Sequence, residues 1–247
     1  MYIKSNREIE IMRTAGKIVA EVLEKLKEVI QPGITTKEIN KLAEEYIRKN
    51  GAIPAFLGYE GYPASVCTSV NEEVVHGIPG PRVLNEGDIV GIDVGVFYEG
   101  YCGDAARTYE VGCCSDEAKR LIKVAEESFF AGLEKAYVGN RLYDISHAIQ
   151  THVESNGYSV VRSLVGHGIG KKMHEEPQVP NYGLPHRGPR LMAGLTLAIE
   201  PMINAGKYHV KTLSDGWTVV TSDGSLSAHY ENTIVITANG PEILTKL

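Results

Sequence analysis

The chain has 247 residues, of which 43% are hydrophobic and 23% are charged, and its formal net charge is −6 at pH 7. This composition is ordinary for a globular protein with a sizeable core, and no apolar stretch is long enough to span a bilayer. No run of lysine and arginine indicates nucleic-acid binding, and the start of the chain lacks the apolar core of a signal peptide. We therefore expect a cytoplasmic protein with no nucleic-acid or membrane partner. The cysteines form no CxxC pair, so we expect free thiols at Cys67, Cys102, Cys113 and Cys114.

The first half of the chain predicts two helices followed by a strand. A helix over 5–30 starts with the Ser-x-x-Glu spacing of a capping box. Residues 32–51 contain a loop glycine, an amphipathic helix and a terminating glycine. The segment LNEGDIVGID, 84–93, then places Asp93 at the end of an apolar strand. This position is unusual, because strands disfavour aspartate and a buried carboxylate is costly unless it is paired or bound to a cation.

A second aspartate, Asp104, follows in a stretch that predicts a β-hairpin. If the loop covers 97–100, paired residues have numbers that sum to 197, and Asp93 lies directly opposite Asp104. Directly opposed side chains share one face of the sheet, with Cβ atoms about 4.5–5.5 Å apart. Two carboxylates at that distance repel each other unless one takes up a proton or a cation lies between them.

The second half of the chain repeats the order of the first. Helices are predicted over 115–136 and 138–157, and the second of these aligns with 32–51 at an offset of 106 residues. The segment LMAGLTLAIE, 191–200, aligns with 84–93 at an offset of 107 residues. Chance similarity is the alternative explanation, and the nearly constant offset disfavours it.

The repeat predicts the fold class. Two halves of helix, helix and sheet, about 5–105 and 115–235, indicate one α+β domain over 1–247 with a pseudo-twofold axis. The alignment pairs Asp93 with Glu200, so the axis would bring these two carboxylates together from opposite sides.

A fourth acid and a histidine complete a candidate metal site. Glu231 lies in the last predicted strand region, 227–237, and His167 lies in the glycine-rich turn GHGIG, 166–170. Any one of the acids alone could equally be a solvated residue at a sheet edge. Together, four carboxylates and one imidazole suit divalent Mn, Fe, Co or Zn. They exceed the three ligands of a usual catalytic zinc and fit two ions about 3.5–4 Å apart, which implies hydrolysis.

Two other histidines, His76 and His174, lie at the edges of apolar segments. A structural role is the default for a single histidine in such a place, but the clustering with acids favours a functional role. Surface or bystander positions are predicted for four more: His147, His152, His186 and His209.

The chain resembles the methionine aminopeptidases, most closely the short bacterial type I form, over nearly its full length. The motifs that carry the resemblance are GYPASVCTSVNEEVVHGIPG, GDIVGIDVGV, GYCGDAARTY, GHGIGKKMHEEPQVPNY, LAIEPMIN and DGWTVVTSDGSLSAHYENTIVIT. The resemblance implies the pita-bread fold, a pseudo-twofold antiparallel sheet flanked by helices. It also implies removal of the N-terminal methionine from nascent polypeptides with a small second residue, by a monomer near the ribosome.

The resemblance implies five metal ligands for two divalent ions (Co, Mn, Fe, Zn or Ni), namely Asp93, Asp104, His167, Glu200 and Glu231. Asp104 and Glu231 would bridge both ions. Asp93 would complete one site, and His167 with Glu200 would complete the other.

The resemblance also implies three catalytic residues. His76 would contact the scissile amide, and His174 would contact the substrate carbonyl region as charge develops there. Glu200 would carry a proton from the attacking water to the leaving amine.

A pocket for the methionine side chain is implied as well, formed by Tyr59, Tyr62, Cys67, Met173 and Trp217. Aromatic edges and a thiol suit a flexible thioether. Met173 stands where many relatives have phenylalanine. His229 and Asn232 flank Glu231 at positions where glutamine and histidine are expected, and these changes bear on metal affinity.

Other functions on the same fold are less consistent with the sequence. A prolidase or an aminopeptidase P would carry a substantial extra N-terminal domain, for which we expect no room in this chain. An inactive binding protein or a creatinase-like enzyme would lack the ligand set, whereas all five candidate ligands are present.

Overall fold

The structure, a computed structural model, describes residues 2–247. Within that range the predicted helices are confirmed as α1 (Asn6–Val29), α2 (Thr36–Lys49), α3 (Asp116–Leu133) and α4 (Leu142–Ser155). The predicted capping box of α1 is present, because Ser5 Oγ accepts the Glu8 N–H and the Glu8 carboxylate accepts the Ser5 N–H. None of these helices is both long enough and apolar enough to cross a bilayer.

Fifteen strands in the described range form four sheets, and all neighbouring strands are antiparallel. They are β1 (Ile53–Pro54), β2 (Cys67–Val70), β3 (Glu73–Val75), β4 (Ile89–Tyr98), β5 (Tyr101–Glu110), β6 (Ser159–Val160), β7 (Gly166–Gly168), β8 (Glu175–Val179), β9 (Thr196–Ile199), β10 (Met202–Asn204), β11 (Val210–Thr212), β12 (Val219–Thr221), β13 (Ser227–His229), β14 (Asn232–Thr237) and β15 (Gly240–Ile243). The largest sheet has the order β15-β14-β9-β7-β8, and a second is built around β4, which pairs with β1, β2 and β5. The two small sheets have the orders β13-β10-β6 and β11-β12-β3. The predicted α+β class is confirmed.

The β4–β5 hairpin has a different register from the one predicted. Asp93 pairs with Ala106, and Asp104 pairs with Gly95, so the prediction of a direct Asp93–Asp104 pair is wrong. The loop contains only Glu99 and Gly100, whose φ values of 45° and 80° suit a two-residue turn that follows the strand twist. Because the register differs by two residues, both aspartates still lie on one face, as diagonal neighbours.

Two hydrophobic cores lie beneath the two helix pairs. The first is formed by α1 and α2 with β4 and β5, and it includes Leu23 and Ile92. The second is formed by α3 and α4 with strands that include β9 and β14, and it includes Phe129 and Ile234. A third, smaller cluster contains residues from both halves of the chain, and the cavity described below lies beside it.

Candidate active site

All twelve residues predicted for the site line one cavity of about 390 Å³. They are Tyr59, Tyr62, Cys67, His76, Asp93, Asp104, His167, Met173, His174, Glu200, Trp217 and Glu231. Phe56 and Glu60 line it as well, and neither was predicted from the sequence. The cavity has a polar end formed by the acids and an apolar end formed by aromatic and sulfur-containing side chains.

The acids come from strands of both halves of the chain. Asp93 is on β4, Asp104 is on β5, Glu200 follows β9, and Glu231 lies between β13 and β14. The start of β14 is tied to β5, because the Glu231 N–H donates to the Ala106 carbonyl at 2.9 Å. The Asp104 N–H likewise donates to the Thr233 hydroxyl at 3.0 Å.

Two groups of side chains are close enough to hold a metal ion. One contains Asp93, His229 and Glu231, the other contains Asp104, His167 and Glu231, and within each group the potential ligand atoms all lie within 4.8 Å of one another. Glu231 belongs to both groups, which places the two candidate ion positions side by side.

The residues present fit a divalent metal. One oxygen each of Asp93, Asp104 and Glu231, and Nε2 of His229, are buried without a hydrogen-bond partner. An unpaired buried carboxylate is strongly destabilising, whereas coordination by a cation satisfies several such oxygens at once. The acid end therefore has the ligand types of a metal centre and buried negative groups that a cation would stabilise.

Burial also changes the protonation of these acids. It raises the pKa of Asp93 to about 7, and it raises the pKa values of Asp104, Glu200 and Glu231 well above their ordinary range, with the neighbouring acids adding to the effect. A bound divalent cation acts in the opposite direction, because it stabilises the ionised carboxylates.

His167 presents a nitrogen lone pair to the acids. Its Nδ1 lies 2.9 Å from the Gly168 carbonyl, which fixes that nitrogen as the protonated one and leaves Nε2 free. Nε2 faces Glu200 Oε1 at 3.5 Å. Burial lowers the pKa of His167 to about 3, so the ring is neutral at physiological pH, as a metal ligand must be.

His76 and His174 lie between the acid end and the apolar end. His174 Nδ1 is hydrogen-bonded to the Tyr59 hydroxyl at 2.7 Å, and its ring lies 4.3 Å from the ring of His167. His76 has a φ of 60°, a strained value for a residue with a Cβ, and its ring makes an edge contact with Trp217 at 6.4 Å. Burial lowers the pKa of both histidines, which favours the neutral rings.

The apolar end is rigidly built. The Tyr62 hydroxyl donates to the Gly77 carbonyl at 2.9 Å and lies 3.2 Å from the Val66 carbonyl, and its ring meets Trp217 edge-on at 5.1 Å. Asp215 accepts the Trp217 N–H at 2.8 Å, which fixes the backbone of the loop that carries the indole. Met173 and Cys67 are buried here, and Cys67 is a free cysteine, as predicted.

Three residues that hold the acids in place were not predicted from the sequence. Arg107 donates to the Glu231 carbonyl and, at 2.7 Å, to the Asn232 side chain. Asn181 donates to the Glu200 carbonyl at 2.9 Å. Thr233 holds Asp104, as described above. Arg107 did carry a signal in the sequence, because it lies in a stretch predicted to be a strand and an arginine is seldom buried unless it is paired.

The four histidines predicted to be bystanders lie outside the cavity lining. His186 and His209 are exposed. His147 and His152 are on α4, as predicted, but they are half-buried instead of lying on the surface, because His147 bonds the Gly183 carbonyl and His152 faces Glu127.

Comparison with known proteins agrees with this site. Residues 10–238 match the family model described as metallopeptidase family M24. A methionine aminopeptidase of Clostridium perfringens is 63% identical over 243 residues, which cover 98% of each chain. The chain belongs to the methionine aminopeptidases of family M24. The crystal structure of the methionine aminopeptidase from Thermotoga maritima has a TM-score of 0.99 at 50% identity, with complete coverage of both chains. The pita-bread fold is thereby confirmed.

The chain is also similar to prolidases, but less closely than to the methionine aminopeptidases. Prolidase from Pyrococcus furiosus has a TM-score of 0.78 at 25% identity, and the match covers 99% of this chain but only 65% of the prolidase. About a third of the prolidase therefore has no counterpart in this chain.

Proposed function

We propose that this chain removes the N-terminal methionine from nascent polypeptides through a centre of two divalent ions. The ligands would be Asp93, Asp104, His167, Glu200 and Glu231, with Asp104 and Glu231 shared by both ions. The observation that carries the proposal is the pair of ligand groups that share Glu231 inside one cavity. The activity follows from membership of the family, in which metal-dependent hydrolysis is general.

When bound, divalent ions polarise the scissile carbonyl and lower the pKa of water, which supplies the nucleophile at neutral pH. Glu200 would move the proton. It follows β9 at the cavity wall, its side chain is 14% exposed, and Asn181 anchors its backbone. A carboxylate in this position can take a proton from the attacking water and deliver it to the leaving amine.

His174 and His76 provide hydrogen bonds to the substrate. The Tyr59 hydroxyl engages Nδ1 of His174 at 2.7 Å, so Nε2 of His174 is the nitrogen left for the substrate. A donor there would stabilise charge that develops on the carbonyl oxygen, and His76, beside Trp217, would contact the scissile amide.

The apolar end of the cavity accepts the methionine side chain. Tyr62, Cys67, Met173 and Trp217 offer aromatic edges, a thiol and a thioether, all of which suit a polarisable sulfur. With the side chain seated there, the first peptide bond lies between the two histidines and the acids. A large second side chain would then press against the histidines and displace the carbonyl, and a misplacement of about 1 Å can cost on the order of 100-fold in rate.

Three further features belong to the same proposal. The chain would act as one peptidase domain with an internal twofold relation, as a monomer, and in the cytoplasm near the ribosome. The resemblance to the bacterial type I form supports these features.

The decisive assay measures free methionine released from a Met-Gly peptide by protein stripped with a chelator and then supplied with Co(II), Mn(II), Fe(II), Ni(II) or Zn(II). We expect activity that is lost on stripping and restored by metal. A Met-Lys peptide serves as the matched substrate and should be cleaved far more slowly. Full activity after stripping would contradict the metal centre, and a preference for Xaa-Pro peptides without methionine would indicate prolidase activity instead.

A further inference from the structure

His229 is a buried histidine whose ring points at the acids without any hydrogen bond through Nε2. It ends β13, and the residue is 4% exposed. Its backbone is held on both sides by Thr108, whose hydroxyl accepts the His229 N–H at 2.9 Å and donates to the His229 carbonyl at 2.9 Å. The ring is therefore fixed by the strand and not by its own polar contacts, and Nε2 is one of the unpartnered buried atoms of the site.

The distances around Nε2 are those of co-ligands and not of hydrogen bonds. Nε2 lies 3.7 Å from Glu231 Oε2 and 3.9 Å from Glu200 Oε2. Both separations exceed the range of about 2.7–3.2 Å for a hydrogen bond. Two ligand atoms that each lie about 2.0–2.2 Å from one ion are about 3.4 Å apart in a tetrahedral site and at most about 4.4 Å apart. The pair His167 Nε2–Glu200 Oε1, at 3.5 Å, has the same kind of spacing.

The group to which His229 belongs also defines which ion it would bind. A ring nitrogen of His229 lies within 4.8 Å of ligand atoms of Asp93 and Glu231, whereas His167 groups with Asp104 and Glu231. In the proposed centre, the ion next to Asp93 would otherwise be held by carboxylates alone. His229 is placed to give that ion a nitrogen ligand, as His167 does for the other.

We propose that His229 is a sixth metal ligand, which coordinates through Nε2 the ion that Asp93 holds. The inference rests on the two-ion centre proposed above and extends it. Affinity for a site with a nitrogen ligand rises from Mn(II) through Co(II) to Ni(II), whereas carboxylate and water ligands suit Mn(II). His229 therefore strengthens binding at the Asp93 position and shifts its preference away from Mn(II).

The test is a calorimetric titration of metal-free protein with Co(II) and, separately, Mn(II), for the parent and for His229→Gln. Glutamine keeps the approximate length of the side chain without the imidazole. We expect one of the two Co(II) steps to lose at least about tenfold in affinity while the other step is unchanged. The Mn(II) step should change less than the Co(II) step. His76→Gln is the matched control, because it removes a histidine that lines the cavity but belongs to neither ligand group, and both of its Co(II) steps should equal those of the parent.

A second measurement needs no variant. In parent protein loaded with two equivalents of Co(II), proton NMR should show two strongly hyperfine-shifted, exchangeable imidazole N–H signals, one from His167 and one from His229. A single signal, or Co(II) steps in His229→Gln that stay within twofold of the parent, would overturn this proposal alone and leave the peptidase function standing. A parent that binds only one equivalent of Co(II) would overturn both this proposal and the two-ion centre.

Discussion

The two ends of the cavity are built on opposite principles. At the acid end, three carboxylate oxygens and an imidazole nitrogen are buried without hydrogen-bond partners. At the apolar end, the Tyr62 hydroxyl donates to the Gly77 carbonyl, and Asp215 accepts the backbone N–H of Trp217. The acid end is thus incomplete as protein alone, whereas the apolar end is packed like an ordinary core.

This difference separates the roles of stability and function. Like charges held together in a buried space destabilise the fold until a cation compensates them, so the acid end is maintained at a cost in stability. The aromatic end stabilises the fold whether or not substrate is bound. Substitutions at the acid end should therefore abolish activity without unfolding the protein, and those at the apolar end should alter selectivity by small factors.

The largest effect is expected for Asp104→Asn. It removes a charge that both ions would share, so activity on Met-Gly peptides should fall by about 10³-fold or more, since metal activation contributes several kcal/mol to the barrier. Because the amide ends the repulsion between buried acids, the metal-free variant should unfold at a higher temperature than the metal-free parent. Peptide turnover and thermal unfolding after chelation measure the two effects.

The control for this variant is Asp144→Asn, an acid on α4 outside the cavity, which should leave turnover unchanged. Near-parent turnover by Asp104→Asn would contradict a shared ligand at this position. A lower unfolding temperature in the metal-free variant would contradict the view that the acid end destabilises the fold.

His174→Ala comes next, because it removes a donor to the substrate and leaves the ligand groups intact. We expect kcat to fall by about 10²–10³-fold while the metal content stays at the parent value. Tyr59→Phe, which removes only the hydroxyl bonded to His174 Nδ1, should have a smaller effect in the same direction. Mass spectrometry that finds an ion missing from His174→Ala would move this residue into the ligand set.

A third prediction concerns the pH dependence of stability in metal-free protein. Burial raises the pKa of Asp93 from 3.8 to about 7, so between about pH 4 and pH 7 the folded state binds more protons at this group than the unfolded state. Its contribution to stability is therefore present at low pH and is lost as the pH rises through that window. Buried histidines act in the opposite sense, since burial lowers the pKa of His167 to about 3.

The comparison of the parent with Asp93→Asn cancels the histidine contributions. The measured quantity is the free energy of urea unfolding of the parent minus that of the variant. As the pH rises from 4 to 7, this difference should decrease by a few kcal/mol, as the pKa shift of Asp93 predicts. A relative stability that stays constant or increases over this range would show that Asp93 is ionised in the metal-free fold.

The acid end was more predictable from sequence than its supports were. An aspartate in an apolar strand is conspicuous, and the repeat paired Asp93 with Glu200 across the two halves. The predicted hairpin register was wrong because the loop length depends on the backbone conformation at Glu99. This residue has a left-handed φ, which a glutamate does not predict.

Two other contacts between distant segments were not predictable. Arg107 bonds the Glu231 carbonyl and His229 approaches Glu200 only because β5, β13 and the end of β9 converge. Such convergence is a property of the folded sheets, and neither periodicity nor spacing along the chain encodes it. The sequence identified His229 as a departure from the family pattern, but the structure was needed to show where its Nε2 points.

The smallest effect is expected at the apolar end, from Met173→Phe. Met173 is 3% exposed and lines the pocket together with Tyr62 and Trp217. A methionine side chain has more rotatable bonds than phenylalanine and adapts to a ligand of different shape, so the parent should accept norleucine and leucine relatively well. The rigid ring in Met173→Phe should lower kcat/KM for Leu-Gly relative to Met-Gly peptides by a few-fold, which is less than the roughly 10–200-fold that a whole methylene group can be worth in a pocket. Met192→Phe, at a partly exposed methionine outside the cavity, is the matched control and should leave this ratio unchanged. A ratio that does not move in Met173→Phe would mean that the aromatic pair Tyr62 and Trp217 alone sets the selectivity of the apolar end.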